Sequence, residues 1–231
     1  MPPTTTLDTL SLWASDDPVV WQAALSSYQS QLMSLKNKKL TDLDNWVWNE
    51  LETSVRKRKP ACMNKEEWVK LVTWKITRGK TRPLLGYAKE QVDQTVRDAT
   101  ATALENLSEE NEKKIDDVGA WLSTCLKPLT DLRGVGAATA AAFLAACTDQ
   151  IPMMSDELIA VTLQPTASEY TEKRLIEMVK IVRAKAKKVN LTAREVEHAV
   201  LAEAWKTKYQ GKQRKDTAGA ATTKPATKRK R

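Results

Sequence analysis

The stretch "LRGVGAATAAAFLAA", Leu132 to Ala146, decides how this chain is read. Two glycines flank Val135, and an alanine-rich run follows. "GVGAATA" comes close to the dinucleotide fingerprint G-x-G-x-x-G/A, and Asp156 stands twenty residues past Gly136, the distance of a ribose-binding acid. That fingerprint needs an apolar strand immediately before it. Here "KPLTDLR" precedes it, with a proline, an acid and an arginine, and the chain shows no alternation of β and α segments. The alternative is a tight turn between two helices. Gly134 and Gly136 both allow positive φ and a sharp reversal. Pro128 suits the first turn of a short helix, "PLTDLR". "AATAAAFLAAC" is a strong helix former whose alanines permit close helix contact. Backbone N–H groups at the start of that second helix would stand uncovered and could take a phosphate oxygen of DNA or RNA. A Cβ at the glycines would block that approach.

The rest of the chain reads as helix. Val20, Ala24, Tyr28 and Leu32 recur at i, i+4. The next segment sets Leu43, Val47 and Leu51 on one face beside Trp46, with Thr41 or Asp42 as its cap and Pro60 as its stop. Asn64, followed by Glu66 and Glu67, opens a helix whose stripe is Trp68, Leu71, Val72 and Ile76, ended by Gly79 and Pro83. "GYAKEQVDQTVRDATATALENL" continues helically, and "SEENEKKIDDVGAWLSTCL" gives another helix. "YTEKRLIEMVKIVRAKAKK" is amphipathic, and "LTAREVEHAVLAEAWKTKY" opens on a capping box of Thr192 and Glu195. No segment alternates as a strand does and no repeat is present, so the class is all-α, a multi-helix bundle of about eight to ten helices of ordinary length. Four regions follow: a loosely ordered N-terminus (1–18), N-terminal helices (19–60), a main helical domain (61–209) and a disordered basic tail (210–231).

Composition narrows the function classes. The net charge of the 231 residues is +8, but eight of the basic residues lie between Gly211 and Arg231, with Asp216 the only acid there. Without that stretch, 29 basic residues face 28 acidic ones, so the body is near neutral. Cys62, Cys125 and Cys147 form no CxxC pair and point to a reducing compartment. With His198 the only histidine, a His-based zinc site is not expected, and no metal or cofactor is called for. No apolar run approaches the roughly eighteen residues of a membrane span, and the N-terminal sequence lacks a secretory pattern.

Leu132, Arg133, Gly134, Val135, Gly136, Ala137, Ala138, Thr139 and Ala140 resemble the helix-hairpin-helix motif of the DNA glycosylase superfamily named for it. The pattern there is L-P-G-[VI]-G-x-x-T-A, then a helix and a short loop to an aspartate. Arg133 stands in place of the usual proline. The resemblance runs from Leu132 to Asp156 and is nearest the endonuclease-III-like branch, whose iron–sulfur cysteines this chain lacks. It implies a glycosylase-like bundle in which Gly134, Val135, Gly136 and Thr139 meet duplex DNA. The position of the Schiff-base lysine is Ala138, which excludes lyase chemistry by that route. The catalytic aspartate, eighteen residues further on, falls on Asp156. A flipped nucleotide would enter a cleft, where Asp156 would stabilise positive charge developing at C1′ or orient a water. That chemistry is monofunctional N-glycosylase chemistry.

Plainer readings stand beside these. "SDEL" is an ordinary helix start that Ser155 or Asp156 would cap, and the glycines could serve a purely structural turn. Arg78, Lys80 and Arg82 around Gly79 could meet phosphates, or could only complement a helix C-terminus. Trp46, Trp68, Trp74 and Trp205 read as core. The terminal "KRKR" reads as a signal for an import receptor, hence a nuclear location, or as a nonspecific grip on nucleic acid. The expectation is a DNA-binding protein with DNA repair as its setting. The alternatives are a non-catalytic descendant of that fold, binding DNA or protein, and an all-α scaffold with no nucleic-acid role.

Overall fold

In a computed structural model the chain is described at residues 7–79, 83–108, 111, 115, 117–164 and 170–220, and no strand occurs among them. The helices run α1 (Leu7–Ala14), α2 (Pro18–Ser26), α3 (Tyr28–Ser34), α4 (Lys38–Trp46), a π-helical turn (Val47–Leu51), α5 (Glu52–Arg56), α6 (Lys65–Arg78), α7 (Leu84–Glu90), α8 (Asp93–Asn106), α9 (Val118–Thr130), α10 (Ala137–Cys147), α11 (Asp156–Thr162), α12 (Glu172–Val189) and α13 (Ala193–Ala220).

The alanine-rich stretch forms the centre. Every residue of α10 is buried. A helix apolar on all sides has no face to give to water, and its small side chains let neighbours come close. α6, α8, α9, α12 and the π-helical turn all pack on it. A second layer forms on α13, which α1, α2, α3 and α12 cover. One hydrophobic core runs from Leu12 to Trp205 and joins the N-terminal helices to the rest. Trp46, Trp68, Trp74 and Trp205 lie in it, as their positions on apolar stripes predict.

Several local expectations are met and others corrected. Asn64 and Glu67 close a capping box on α6. Thr192 and Glu195 do the same for α13, with Thr192 N donating to Glu195 Oε2 at 2.8 Å and Glu195 N to Thr192 Oγ1 at 3.2 Å. The cap of α4 is Asn37, which accepts from Leu40 N, rather than Thr41 or Asp42. Residues 7–14, expected to be loose, form α1, with Leu12 buried and Trp13 edge-on to Trp21. The α13 backbone continues to Ala220, into the segment expected to be disordered; residues 221–231 lie outside the described residues.

Two corrections bear on the turn before α10. The helix expected to run unbroken from Gly86 stops at Gln91 (ψ 146°), whose side-chain amide donates to Arg133 O at 2.8 Å. That tertiary bond pins the end of α7 beneath the turn. Pro128 does not open a short helix; it lies inside α9. A proline in a helix leaves the carbonyl four residues back without its donor, and Asn106 Nδ2 supplies one, donating to Thr124 O at 2.8 Å.

Gly134 has φ +79°, while Gly136 is extended at φ −102° and needs no left-handed freedom. A Cβ on Gly134 would lie 2.5 Å from Tyr87 Cγ, whereas one on Gly136 would meet nothing within 4 Å. Gly134→Ala is therefore expected to cost about 2 kcal/mol or more, from left-handed backbone and displacement of the Tyr87 ring. Gly136→Ser is expected to be neutral, or stabilising by about a few tenths of a kcal/mol through an added N-cap. Urea unfolding of both variants checks this. Equal losses in the two would contradict the assignment.

Candidate functional site

The turn between α9 and α10 is built from its anchor outward. Leu132 is buried, and its carbonyl accepts from Val135 N at 3.1 Å. Gly134 and Gly136 are exposed, Val135 is half-buried and Thr139 is buried. Gly136 is the N-cap residue of α10, and no side chain caps the helix. Its carbonyl accepts from Thr139 N at 2.9 Å and Ala140 N at 3.1 Å. The helix therefore begins with its first amides turned toward an uncapped end.

Beside this first turn lies a cavity of about 380 Å³. Gly136, Ala138 and Thr139 form one wall, and Ser155, Asp156 and Glu157 another. The structure thus brings the turn and Asp156 together. Capping does not occupy Asp156: Ser155 is the N-cap of α11, its hydroxyl accepting from Leu158 N at 3.3 Å. Asp156 is half-buried, and Tyr170 Oη donates to its Oδ1. Tyr170 also lines the cavity.

Arg78, expected to face phosphates, is placed differently. Its side chain is 2% exposed, and Nη2 donates to Glu197 Oε1 at 2.5 Å across a separation of 119 residues. It lines the cavity from within instead of standing on the surface. The indoles of Trp74 and Trp48 lie 5.1 and 5.9 Å from the guanidinium carbon. Burial works against its charge, and Glu197 and Asp44 more than offset that, so the guanidinium is held above its ordinary value. Lys80 and Arg82 lie outside the described residues.

Behind Arg78 is a polar network that no sequence motif announces. Asp44, wholly buried, accepts from Tyr28 Oη at 3.0 Å, Trp74 Nε1 at 3.0 Å and Trp48 Nε1 at 3.2 Å. His198 stacks on Tyr28 with ring centroids 4.3 Å apart and meets Trp48 edge-on at 4.7 Å. The signal was present in weak form. Asp44 interrupts the Leu40, Leu43, Val47 stripe, and Glu197 interrupts Ala193, Val196, Val200. An acid on an apolar stripe must find a partner in the core.

Among the described residues no group of His, Cys, Asp and Glu could hold a metal ion, and no helix is long and apolar enough to cross a membrane. The three cysteines are buried and form no disulfide, and burial pushes the Cys147 thiol up to about 12. The chain matches no protein-family profile, no curated protein and no solved structure.

His198 gives the network a pH signature. Burial, with Arg78 and Arg194 nearby, pushes it well below its ordinary value of 6.5. The unfolded chain takes up a proton near that value while the folded chain does not. The stability this contributes is complete above about pH 6.5 and is lost as pH falls toward the folded-state value, by up to about 1.4 kcal/mol per pH unit. Denaturant unfolding between pH 7.5 and 5 should show this loss, and His198→Gln should flatten it. An unchanged slope in the variant would contradict the assignment.

Proposed function

We propose that the chain binds duplex DNA through the turn at Gly134–Gly136 and excises a base as a monofunctional N-glycosylase. The observation that carries the reading is that Asp156 and the uncapped first turn of α10 border one cavity of about 380 Å³. That volume is within the range of about 300–1,000 Å³ usual for small-molecule sites. In this reading the turn and α10 form a helix-hairpin-helix motif within a glycosylase-like bundle. A DNA phosphate oxygen sits on the amides at the start of α10. Gly136 leaves the approach open, since the fold itself has room for a side chain there. The extruded nucleotide enters the cavity. Tyr170 fixes the Asp156 carboxylate by donating to it. The carboxylate then stabilises positive charge growing at C1′ as the base departs, or orients the attacking water. Ala138, where a Schiff-base lysine would stand in the family pattern, offers no amine for strand cleavage by that route. The C-terminal "KRKR" serves nuclear import or a further phosphate grip.

Arg133 in place of the pattern's proline and Ala138 in place of its lysine favour a second reading, a non-catalytic binding module of the same shape. One experiment separates the two. Purified protein is assayed for base release from duplexes carrying damaged and mismatched bases, alongside Asp156→Asn. Catalysis predicts release that falls by about 10²–10⁴-fold in the variant, with duplex affinity intact. No release across the panel would overturn the enzyme and leave the module. In a chain ending at Tyr209, salt-dependent duplex affinity should persist and Gly136→Glu should remove it. Loss of binding on removing the tail alone would overturn the turn as the DNA-binding element.

A further inference from the structure

We infer that Arg133, held in place by α7, is a second phosphate-binding residue of the turn, gripping the duplex backbone next to the phosphate that sits at the start of α10. The inference rests on the reading of the turn as a DNA-binding element, and it holds for an enzyme and for a binding module alike.

That reading calls for cations at the turn, and Arg78, expected to supply one, is buried against Glu197. Arg133 stands on the turn itself, one residue before Gly134, with its side chain 73% exposed. The pattern that the turn resembles has a proline there, which carries no charge. Three contacts from one side of α7 converge on Arg133. Tyr87, Glu90 and Gln91 stand at i, i+3 and i+4, which a helix places on one face. Gln91 Nε2 donates to the Arg133 carbonyl at 2.8 Å. The guanidinium carbon lies 5.1 Å from the centroid of the Tyr87 ring, and that ring is itself pressed against Gly134. Arg133 Nη1 donates to Glu90 Oε2 at 3.1 Å. Backbone and head group of a long, solvent-facing side chain are thus both located before any ligand arrives. Ordering such a side chain is one of the costs of binding, and ordering it in advance lowers that cost.

The chemistry of the head group selects the ligand. A guanidinium keeps its charge and presents a planar fork of five N–H donors. Its face lies toward Tyr87, which leaves its edges for hydrogen bonding, and among the described residues only Nη1 uses one. Such a fork matches two oxygens of one phosphate. Glu90 is the competitor, but it is 61% exposed, and a pair between two exposed side chains is weak and screened by salt. A backbone phosphate offers the same charge with more acceptors. The contact fixes position on the duplex and reads no sequence.

The test uses the full chain and two duplexes of unrelated sequence, with affinity measured by fluorescence anisotropy across a salt series. In Arg133→Gln the plot of log affinity against log salt should be shallower by about 0.9, the change for one phosphate contact, and equally so on both duplexes. The Gln91 bond uses the backbone carbonyl, so the substitution leaves it in place. Arg133→Lys keeps the charge and should restore the slope. Glu90→Gln removes the competing carboxylate and should tighten binding, by less when Arg133→Gln is also present. An unchanged slope in Arg133→Gln, a change confined to one duplex, no recovery in Arg133→Lys, or an equal Glu90→Gln gain in both backgrounds would overturn the assignment. Gly136→Glu is scored separately. If it removes duplex binding while Arg133→Gln leaves the slope intact, the Arg133 inference fails and the DNA reading stands. If the wild-type protein binds neither duplex, both fail.

Discussion

A helix buried on every side has nowhere to send its ends except into turns shaped by its neighbours, and α10 is such a helix. Its alanines remove the side-chain bulk that would hold surrounding helices apart. α6, α8, α9, α12 and the π-helical turn close around it. At its N-terminus the chain must arrive from α9 within six residues, 131 to 136. Gly134 makes this possible by adopting φ +79° flush against Tyr87, with Gln91 tying α7 to the turn from below. At its C-terminus the chain leaves through a loop that returns to place Asp156 beside the first turn of the same helix. The cavity is thus a consequence of burying α10: its entrance and exit are brought to one place.

The second constraint is electrostatic. Arg78 and Glu197 come from α6 and α13, far apart in the chain, and meet where almost no solvent reaches. Removing either partner of such a pair leaves a buried charge uncompensated, at a cost of about 3–5 kcal/mol. The pair therefore fixes how the first half of the chain registers against the last described helix. Asp44 supplies a second buried carboxylate and satisfies the N–H groups of two tryptophans and the hydroxyl of Tyr28. Trp48 and Trp74 show what an indole can bring here that a phenylalanine cannot: apolar area together with a donor for a buried acid.

Local signals were legible where local physics decides. The capping boxes at Asn64 and Thr192, the apolar stripes, the need for glycine at 134 and the ordinary helix start at Ser155 can all be read from neighbouring residues. The resemblance to the helix-hairpin-helix pattern singled out Asp156, which borders the same cavity as the start of α10. What could not be read depends on partners far along the chain. Arg78 looks like a surface cation at a helix end until Glu197 is known to face it. Pro128 looks like a helix start until Asn106 is seen to answer the carbonyl it orphans. The break at Gln91 depends on Arg133, and α1 exists because α13 offers it a surface. The basic residues at 80 and 82 lie outside the described residues, and Arg78 points inward to Glu197.

The central claim is that the turn and Asp156 form a single DNA site. A crystal structure of the protein with a duplex carrying one abasic-site analogue tests it most directly. The account predicts the analogue's sugar in the cavity, beside the Asp156 carboxylate, and a neighbouring phosphate oxygen on the amides that open α10. A complex in which the duplex contacts another face while the cavity stays empty would contradict it.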